Sequence, residues 1–449
     1  MDRPRTPRQR PVRDRWRSGS TPCRRGRRPL LAGGTQRLVR IHGPDLAGDA
    51  MGTAHLLTQA ETEAIRRPIG EARTFPRRAF TAADFFALEQ ECIVERNWLA
   101  ACFADELAHV GDAMPIDVCG LPIFVVKGSD GRIRAFHNVC AYDGCPVVTA
   151  PVKQAADLRV AYHGWRYDLE GRLIDAPYWA GPPGNGLPAV PMQHRDLKGI
   201  ACDVSLGVVF VSAGSRSPDF SSYIGSFEEL LHEFDLDDLG TATDESGQID
   251  VFESVLATNW KTFADNDCLN ILHESFTHAM YAASPEIPRV GPDGTPKFEV
   301  VSTGNVFGFS YAESDVTATY PPIDLPHIGR NSRPERGFFL QSYPNLSVAV
   351  MDTLIAPVIQ FPEAPDRTRV RGATLVRKQA ATSDYAPRRR AADELFAQAA
   401  EEDAAVMEAI QRSRRSPARD RGFYAPFWDE PQYLFANRIL DDLLADGTA

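Results

Sequence analysis

The sequence predicts an α+β fold in two parts: a small antiparallel β domain, then a larger domain in which an antiparallel sheet is covered by helices. Its 449 residues, 43% of them hydrophobic, are enough for two parts that each bury a core. Residues 115–213 break into short β-rich runs (PIDVC, PIFVVKG, RIRAFHNV, DLRVAYHGW, VVFVSAG) separated by turn signals such as SDGR and LEGR. Beyond them come longer strand-like runs flanked by stretches of helical periodicity.

The first 50 residues differ from the rest. They hold 13 Arg against four Asp, a net +9, which leaves −20 on residues 51–449. Rich in Arg, Pro and Gly and without apolar periodicity, residues 1–60 are expected to be a disordered basic extension. They read as a stretch upstream of a start at Met51; the alternative is a basic arm. An acidic body is a poor partner for nucleic acid, and none is expected. No run reaches the roughly 18 apolar residues of a membrane span, and no cleavable apolar leader opens the chain, so no membrane partner and a cytoplasmic location are expected. The eight cysteines then read as free thiols or metal ligands, and only Cys140 and Cys145 are close together.

Ordered structure is expected from about residue 79, where Phe85, Phe86, Leu88, Cys92 and Ile93 follow Thr81, a candidate N-cap, at helical spacing. After the β-rich runs come a short helix in SFEELLHEFDLDDL, a strand near 248–257 and a helix from about 259. A polar, Pro-containing stretch at 281–335 precedes strands within 337–377, and a long helix spans roughly 387–414. The sheet is expected to be covered on one face.

Two constellations carry chemistry. In the first, Cys140-Ala-Tyr142 is followed by 17 residues and then Val160-Ala-Tyr-His163. A Rieske centre holds one iron on two Cys and the other on two His, with one of each from two loops, in the pattern Cys-x-His, about 17 residues, Cys-x-x-His. Together with Trp165-Arg-Tyr-Asp168 and the preceding AFHNV, the stretch resembles the α subunit of Rieske-type non-heme iron ring-hydroxylating oxygenases. The likeness runs from about 75 to about 415. It implies a Rieske-like β domain at 75–215 and a helix-grip catalytic domain at 216–449. It departs at the cluster, where Tyr142 stands in place of His and Val160 in place of Cys. Valine binds no metal, and a neutral phenol is a poor substitute for imidazole, so the 2Fe-2S cluster is predicted absent and the site vestigial. Cys140, Cys145 and His163 either form a residual zinc site or are packed remnants.

In the second, 259-NWKTFADNDCLNILHESFTHAM-280, His273 and His278 fit the family's His-x4-His after Asn-Trp-Lys. A mononuclear Fe(II) site needs two imidazoles and a carboxylate on one face of the metal. Five residues turn a regular helix through about 140°, so joint ligation requires the helix to distort or end there. For the carboxylate, Phe396, Ala399, Asp403, Met407 and Ile410 fall on one stripe of the long helix, which puts Asp403 among apolar residues, bound to metal or paired with an Arg. The resemblance implies the same residue, through Glu402-Asp403 followed by Gln411. It also implies that an acidic residue three positions before the first iron His carries electrons from a neighbouring subunit's cluster; here that position is Asn270.

The expected function is therefore a mononuclear Fe(II) oxidoreductase or oxygenase without a working cluster, with His273, His278 and Asp403 as ligands and Asn266, Asp267 and Asn270 beside them. Its substrate is expected to be a sizeable apolar small molecule, in a pocket lined by 281–340 and by the strands at 338–376. Phe338, Phe339, Tyr343 and Val350 are candidates there, and Phe396 of the long helix is a further substrate-binding candidate. The alternatives are a non-redox cyclase or isomerase of specialised metabolism, or a regulatory subunit without catalysis. The resemblance implies a homotrimer; with the cluster lost, a reductase or ferredoxin partner is not expected.

Overall fold

A computed structural model describes residues 56–445, apart from 183–185, 280–289, 292 and 315–323. The expected disorder over 1–55 lies outside these residues. Order begins well before residue 79: helix α1 (Gln59–Arg66) is closed by a capping box in which Thr58 and Glu61 satisfy each other's backbone N–H groups. Leu56, Leu57 and Ile65 anchor it in the core. The described residues form one compact unit.

Helix α2 (Ala83–Arg96) carries Phe85, Phe86, Cys92 and Ile93 on its buried face, as the spacing predicts. Its N-cap is Ala82, with no side-chain cap; the Thr81 hydroxyl instead donates to the Arg77 carbonyl at 3.1 Å, closing the 3-10 turn before it. Past Arg96 the chain extends into a wholly buried strand, Leu99–Phe103.

That strand is the edge of a six-stranded antiparallel sheet with the order 99–103, 208–212, 199–205, 133–137, 121–127, 113–118. A small three-stranded sheet (158–159, 166–167, 173–175) stands beside it and has its own core of Phe124, Val148, Val160, Trp165 and Tyr167.

After helix α3 (Phe220–Leu230) comes a nine-stranded antiparallel sheet. Two of its strands, Phe298–Thr303 and Val306–Ala312, lie within the stretch read as polar and Pro-containing. Short runs joined through Gly304 (φ +56°) and flanked by Pro-rich sequence hid the hairpin. Helix α4 (Trp260–Asp267) and the short α5 (Glu274–Thr277) precede this hairpin, and α6 (Ala386–Ser413) and α7 (Glu430–Leu444) follow the sheet.

Both faces of the sheet are covered, not one. Phe338, Leu340, Val348, Val350 and Ile359 pack into the main core with Phe435 of α7 and with Phe103 and Val208 of the six-stranded sheet. Their alternate neighbours Phe339, Ala356 and Val358 join smaller clusters that include Phe396 and Met407 of α6. The period of two along each strand makes this division.

Candidate functional site

The Asn259-Trp260-Lys261 run builds the start of α4 and ties it down. Asn259 caps the helix, its Oδ1 accepting from Lys261 N at 3.1 Å. The Lys261 ammonium, 3% exposed, donates to both oxygens of Glu89 on α2 at 2.6 and 2.8 Å and to the Ala79 carbonyl at 2.8 Å, and Trp260 Nε1 donates to Glu89 at 3.2 Å. A buried charge this well paired fixes where the following residues emerge.

Those residues include both candidate histidines. His273 precedes α5 in helical conformation, and the helix stops at His278, whose φ of −86° and ψ of 124° are extended. Ending the helix after one turn removes the angular separation a regular helix would impose, and the ring centroids lie 5.4 Å apart. From α6, Asp403 Oδ1 comes within 3.4 Å of His273 Nε2 and 3.7 Å of His278 Nε2. The three donor atoms lie within 4.8 Å of one another.

Each imidazole is oriented from behind. Asn270 Oδ1 faces His273 Nδ1 at 3.4 Å and accepts from its backbone N–H at 3.2 Å, while Asn270 Nδ2 reaches Asp429 at 3.5 Å. His278 Nδ1 donates to Glu402 Oε2 at 3.1 Å, and Gln398 holds the other Glu402 oxygen at 3.0 Å. With protons on both Nδ1 atoms, both Nε2 lone pairs point at Asp403. Asp403 Oδ1 is buried and has no hydrogen-bond partner of good geometry. Two imidazole Nε2 atoms and a carboxylate oxygen without a hydrogen-bond partner are the donor set for a divalent first-row metal, and the residues fit a mononuclear iron.

The surroundings are acidic. Burial, with the Asp403 charge adding to it, pushes Asp267 up to about 6. Burial pulls His273 down, but the Asp403 carboxylate outweighs it and the net shift is upward. Asn266 stands half-buried on α4 beside Asp267.

The stripe on α6 runs through Arg389, Ala392, Phe396, Ala399, Asp403, Met407 and Gln411. Ile410, expected on it, is 39% exposed, and the buried Gln411 takes its place by donating to the Phe80 carbonyl at 2.8 Å.

The expected pocket lining is corrected in part. Tyr343 is fully buried, edge-on to Phe435, with its hydroxyl donating to Asp442 at 2.9 Å, so it is core. Phe338 and Val350 are on that same core face. Phe339 and Phe396 lie together on the α6 side, with Tyr311 next to Phe339 at 5.2 Å between ring centroids. Of 281–340, residues 281–289, 292 and 315–323 lie outside the described residues. A cavity of about 700 Å³ is on another side of α6, between Asp265, Ile410, Arg414 and Tyr424, and none of the three candidate ligands lines it.

At the other constellation, Val160 is fully buried in apolar packing, and Tyr142, 51% exposed, stacks on Trp165 at 5.2 Å between centroids. The Cys140 and Cys145 sulfurs lie 3.4 and 3.5 Å from His163 Nε2, and Asp143 Oδ1 lies 3.3 Å from the same nitrogen. A Rieske centre places its thiolates and its imidazoles on different irons. Here all four donor atoms lie within 4.8 Å of one another, and the residues present do not fit a two-iron cluster. Burial, reinforced by Asp143, pushes the Cys145 thiol up to about 12. Among the described residues, none of the seven cysteines is in a disulfide. The sequence reading missed Asp143 and the Glu402 contact, which depend on loop geometry and packing between elements.

Among the described residues, no helix is long and apolar enough to cross a membrane. Residues 211–445 match the family model of the ring hydroxylating alpha subunit (catalytic domain), and residues 97–191 that of the Rieske [2Fe-2S] domain. The chain is 27% identical over 208 residues to the glycine betaine monooxygenase oxygenase subunit of Chromohalobacter salexigens, covering 46% of this chain and 44% of that one. It is 30% identical over 203 residues to the 2-aminobenzenesulfonate 2,3-dioxygenase subunit alpha of an Alcaligenes species, covering 45% and 48%. The chain thus spans about half the length of the curated relatives it matches. In fold it is similar to a quaternary ammonium Rieske monooxygenase solved with L-carnitine, with a TM-score of 0.65 at 20% identity over 86% of this chain and 98% of that one. It is also similar to naphthalene 1,2-dioxygenase with indole bound, with a TM-score of 0.59 at 18% identity over 77% and 81%.

Proposed function

This chain belongs to the ring hydroxylating alpha subunit family, and on that premise we propose that it is a mononuclear non-heme Fe(II) oxidoreductase that works without a Rieske cluster. The observation that carries the reading is the convergence of two Nε2 atoms on the buried Asp403 Oδ1, which lacks a hydrogen-bond partner. A ferrous ion bound there would supply dioxygen activation, with coordination positions left open by the three-residue set. Asn270 and Glu402 hold protons on the Nδ1 atoms and keep the rings facing inward. Asp267, titrating near 6, can hold or release a proton beside the site. The substrate is an apolar small molecule lying over Phe339 and Phe396; Phe396 precedes Asp403 by seven residues, about 10 Å along the same stripe.

The loss of the cluster is supported by the valine and tyrosine at two ligand positions and by the close grouping of the remaining donors. Asn270 supports it independently: its amide orients His273 but carries no charge for an acidic relay. Electrons for dioxygen reduction then come from the substrate or a diffusible reductant. The iron domain proposed spans 216–449 and the Rieske-like domain 75–215.

Anaerobic reconstitution with ferrous ion tests this. The expected result is about one iron per chain, no acid-labile sulfide, and loss of that iron in Asp403→Ala. Turnover of a substrate that persists without dioxygen would replace this reading with a non-redox one, and iron retained by Asp403→Ala would remove the proposed ligand.

A further inference from the structure

The two loops that would have held a Rieske cluster bring together four donors the mechanism above leaves idle. Cys140, Asp143 and Cys145 come from one loop and His163 from the other. The first loop is closed by Cys140 N donating to the Cys145 carbonyl at 2.8 Å, Gly144 N to the Cys140 carbonyl at 3.0 Å, and Cys145 N to Asp143 Oδ1 at 3.1 Å. Gly144 is at φ +78°, and a Cβ there would meet nothing, so the turn needs glycine for its backbone and not for space. The second loop repeats the device, with Gly164 N bonded to the Val160 carbonyl at 3.0 Å and Gly164 at φ +82°.

The spacings match a known geometry. In a tetrahedral zinc site with Zn–S of about 2.3 Å, Zn–N of about 2.05 Å and Zn–O of about 2.1 Å, sulfur and nitrogen ligands stand about 3.5 Å apart and nitrogen and oxygen about 3.4 Å apart. The observed sulfur–nitrogen distances are 3.4 and 3.5 Å, and the nitrogen–oxygen distance is 3.3 Å.

We propose that Cys140, Asp143, Cys145 and His163 bind a single zinc ion in place of the two-iron cluster. The proposal rests on the reading that no cluster assembles. Four protein ligands leave no open position, so the role is structural: the ion ties the two loops together beneath the Tyr142, Trp165 and Trp179 rings. Thiolate and imidazole donors in a tetrahedron favour zinc over a hard cation. Loading moves the His163 proton from Nε2 to Nδ1 and gives up the weak 3.3 Å hydrogen bond that Nδ1 accepts from Trp165 N–H. Both thiols must ionise, so binding releases protons and weakens as pH falls.

The test is metal and sulfide analysis of the full-length chain expressed with both zinc and iron present. The expected result is one zinc per chain without acid-labile sulfide, with native-state alkylation of Cys140 and Cys145 blocked until a chelator is added. Cys145→Ser should lose the zinc. Asp143→Asn, a change in a loop side chain 24% exposed that leaves the thiols intact, should lower zinc affinity on the order of tenfold or more in chelator competition. His273→Ala should keep the zinc, so failure at the iron site is read separately. Iron with stoichiometric sulfide lost in Cys140→Ser overturns both the zinc and the cluster-free readings. Zinc content unmoved by Cys145→Ser and Asp143→Asn, or thiols alkylated at once in zinc-treated protein, overturns the zinc site alone.

Discussion

Glu402 is not one of the three candidate ligands, yet it holds the His278 proton on Nδ1 and is itself held by Gln398. Glu402→Ala frees the ring to rotate and leaves its tautomer unset. The expected effect is a ten- to hundredfold fall in iron affinity without loss of fold, read by anaerobic metal titration beside circular dichroism. Unchanged affinity would mean that His278 is oriented by something else. Glu313 gives a second test at this scale. Burial, with the nearby Asp352 charge, raises it from 4.5 to about 7 against a hydrogen bond from Asp352 N. The folded state therefore binds this proton more tightly than the unfolded one. The stability it contributes is complete below about 4.5 and is lost as pH rises through about 7. A displacement of that size corresponds to roughly 3 kcal/mol. Glu313→Gln should flatten the fall in denaturation midpoint between pH 4.5 and 7, and an unaltered slope would contradict the assignment. The residue scale was also where the sequence was least legible. Spacing and a helical stripe leave a mark in the text, and they pointed to His273, His278 and Asp403, which the fold brings together. Glu402 and Asp143 act through contacts that no periodicity records, and aromatic content alone could not say that Tyr343 faces the core while Phe339 faces α6.

Among the elements, the long helix α6 and the start of α4 were readable to within a residue or two, since one is strongly periodic and the other opens on a capping Asn. The hairpin 298–312 and strand 99–103 were not, because each is short and its burial is decided by partner strands far along the chain. The attachment of α4 to α2 was equally invisible, since Lys261 and Glu89 are 172 residues apart. That joint is testable. Lys261→Met leaves Glu89 buried with only Trp260 Nε1 to bond it, and should destabilise the fold by about 3–5 kcal/mol. The double variant Glu89→Leu/Lys261→Met removes both charges and should recover most of the loss in denaturant midpoint. A double variant no better than the single one would show that the pair is not the unit that matters.

For the molecule as a whole, the sequence reads as two consecutive domains meeting near 215, where short β-rich runs give way to longer elements. Packing joins the two parts across that boundary. Phe103, Val208 and Phe210 of the six-stranded sheet share one core with Leu340, Val348 and Ile359 of the nine-stranded sheet and with Phe435. The joint is polar as well. Asn345 accepts from Ala100 N and donates to the Ala100 carbonyl, both at 2.9 Å, while Arg371 pairs with Glu106. The loop-bearing tip, around Val160, Trp165 and Tyr167, has a core of its own. Cutting at 215 would leave the sheet's apolar face in water, take both Ala100 bonds from the Asn345 amide and leave Arg371 with Glu253 as its remaining partner, and about 25 cal/mol per Å² of newly exposed apolar surface is more than marginal stability can absorb. A fragment of residues 216–449 is therefore expected to lack cooperative unfolding and dispersed amide resonances, although it contains all three candidate iron ligands. The full chain should melt with its main core in a single transition seen alike by far- and near-ultraviolet circular dichroism. A fragment that folds and binds iron by itself would restore the boundary at 215 and make the Rieske-like part a separable attachment. Otherwise that part, with or without metal in its tip, serves as the second wall of the catalytic domain's core.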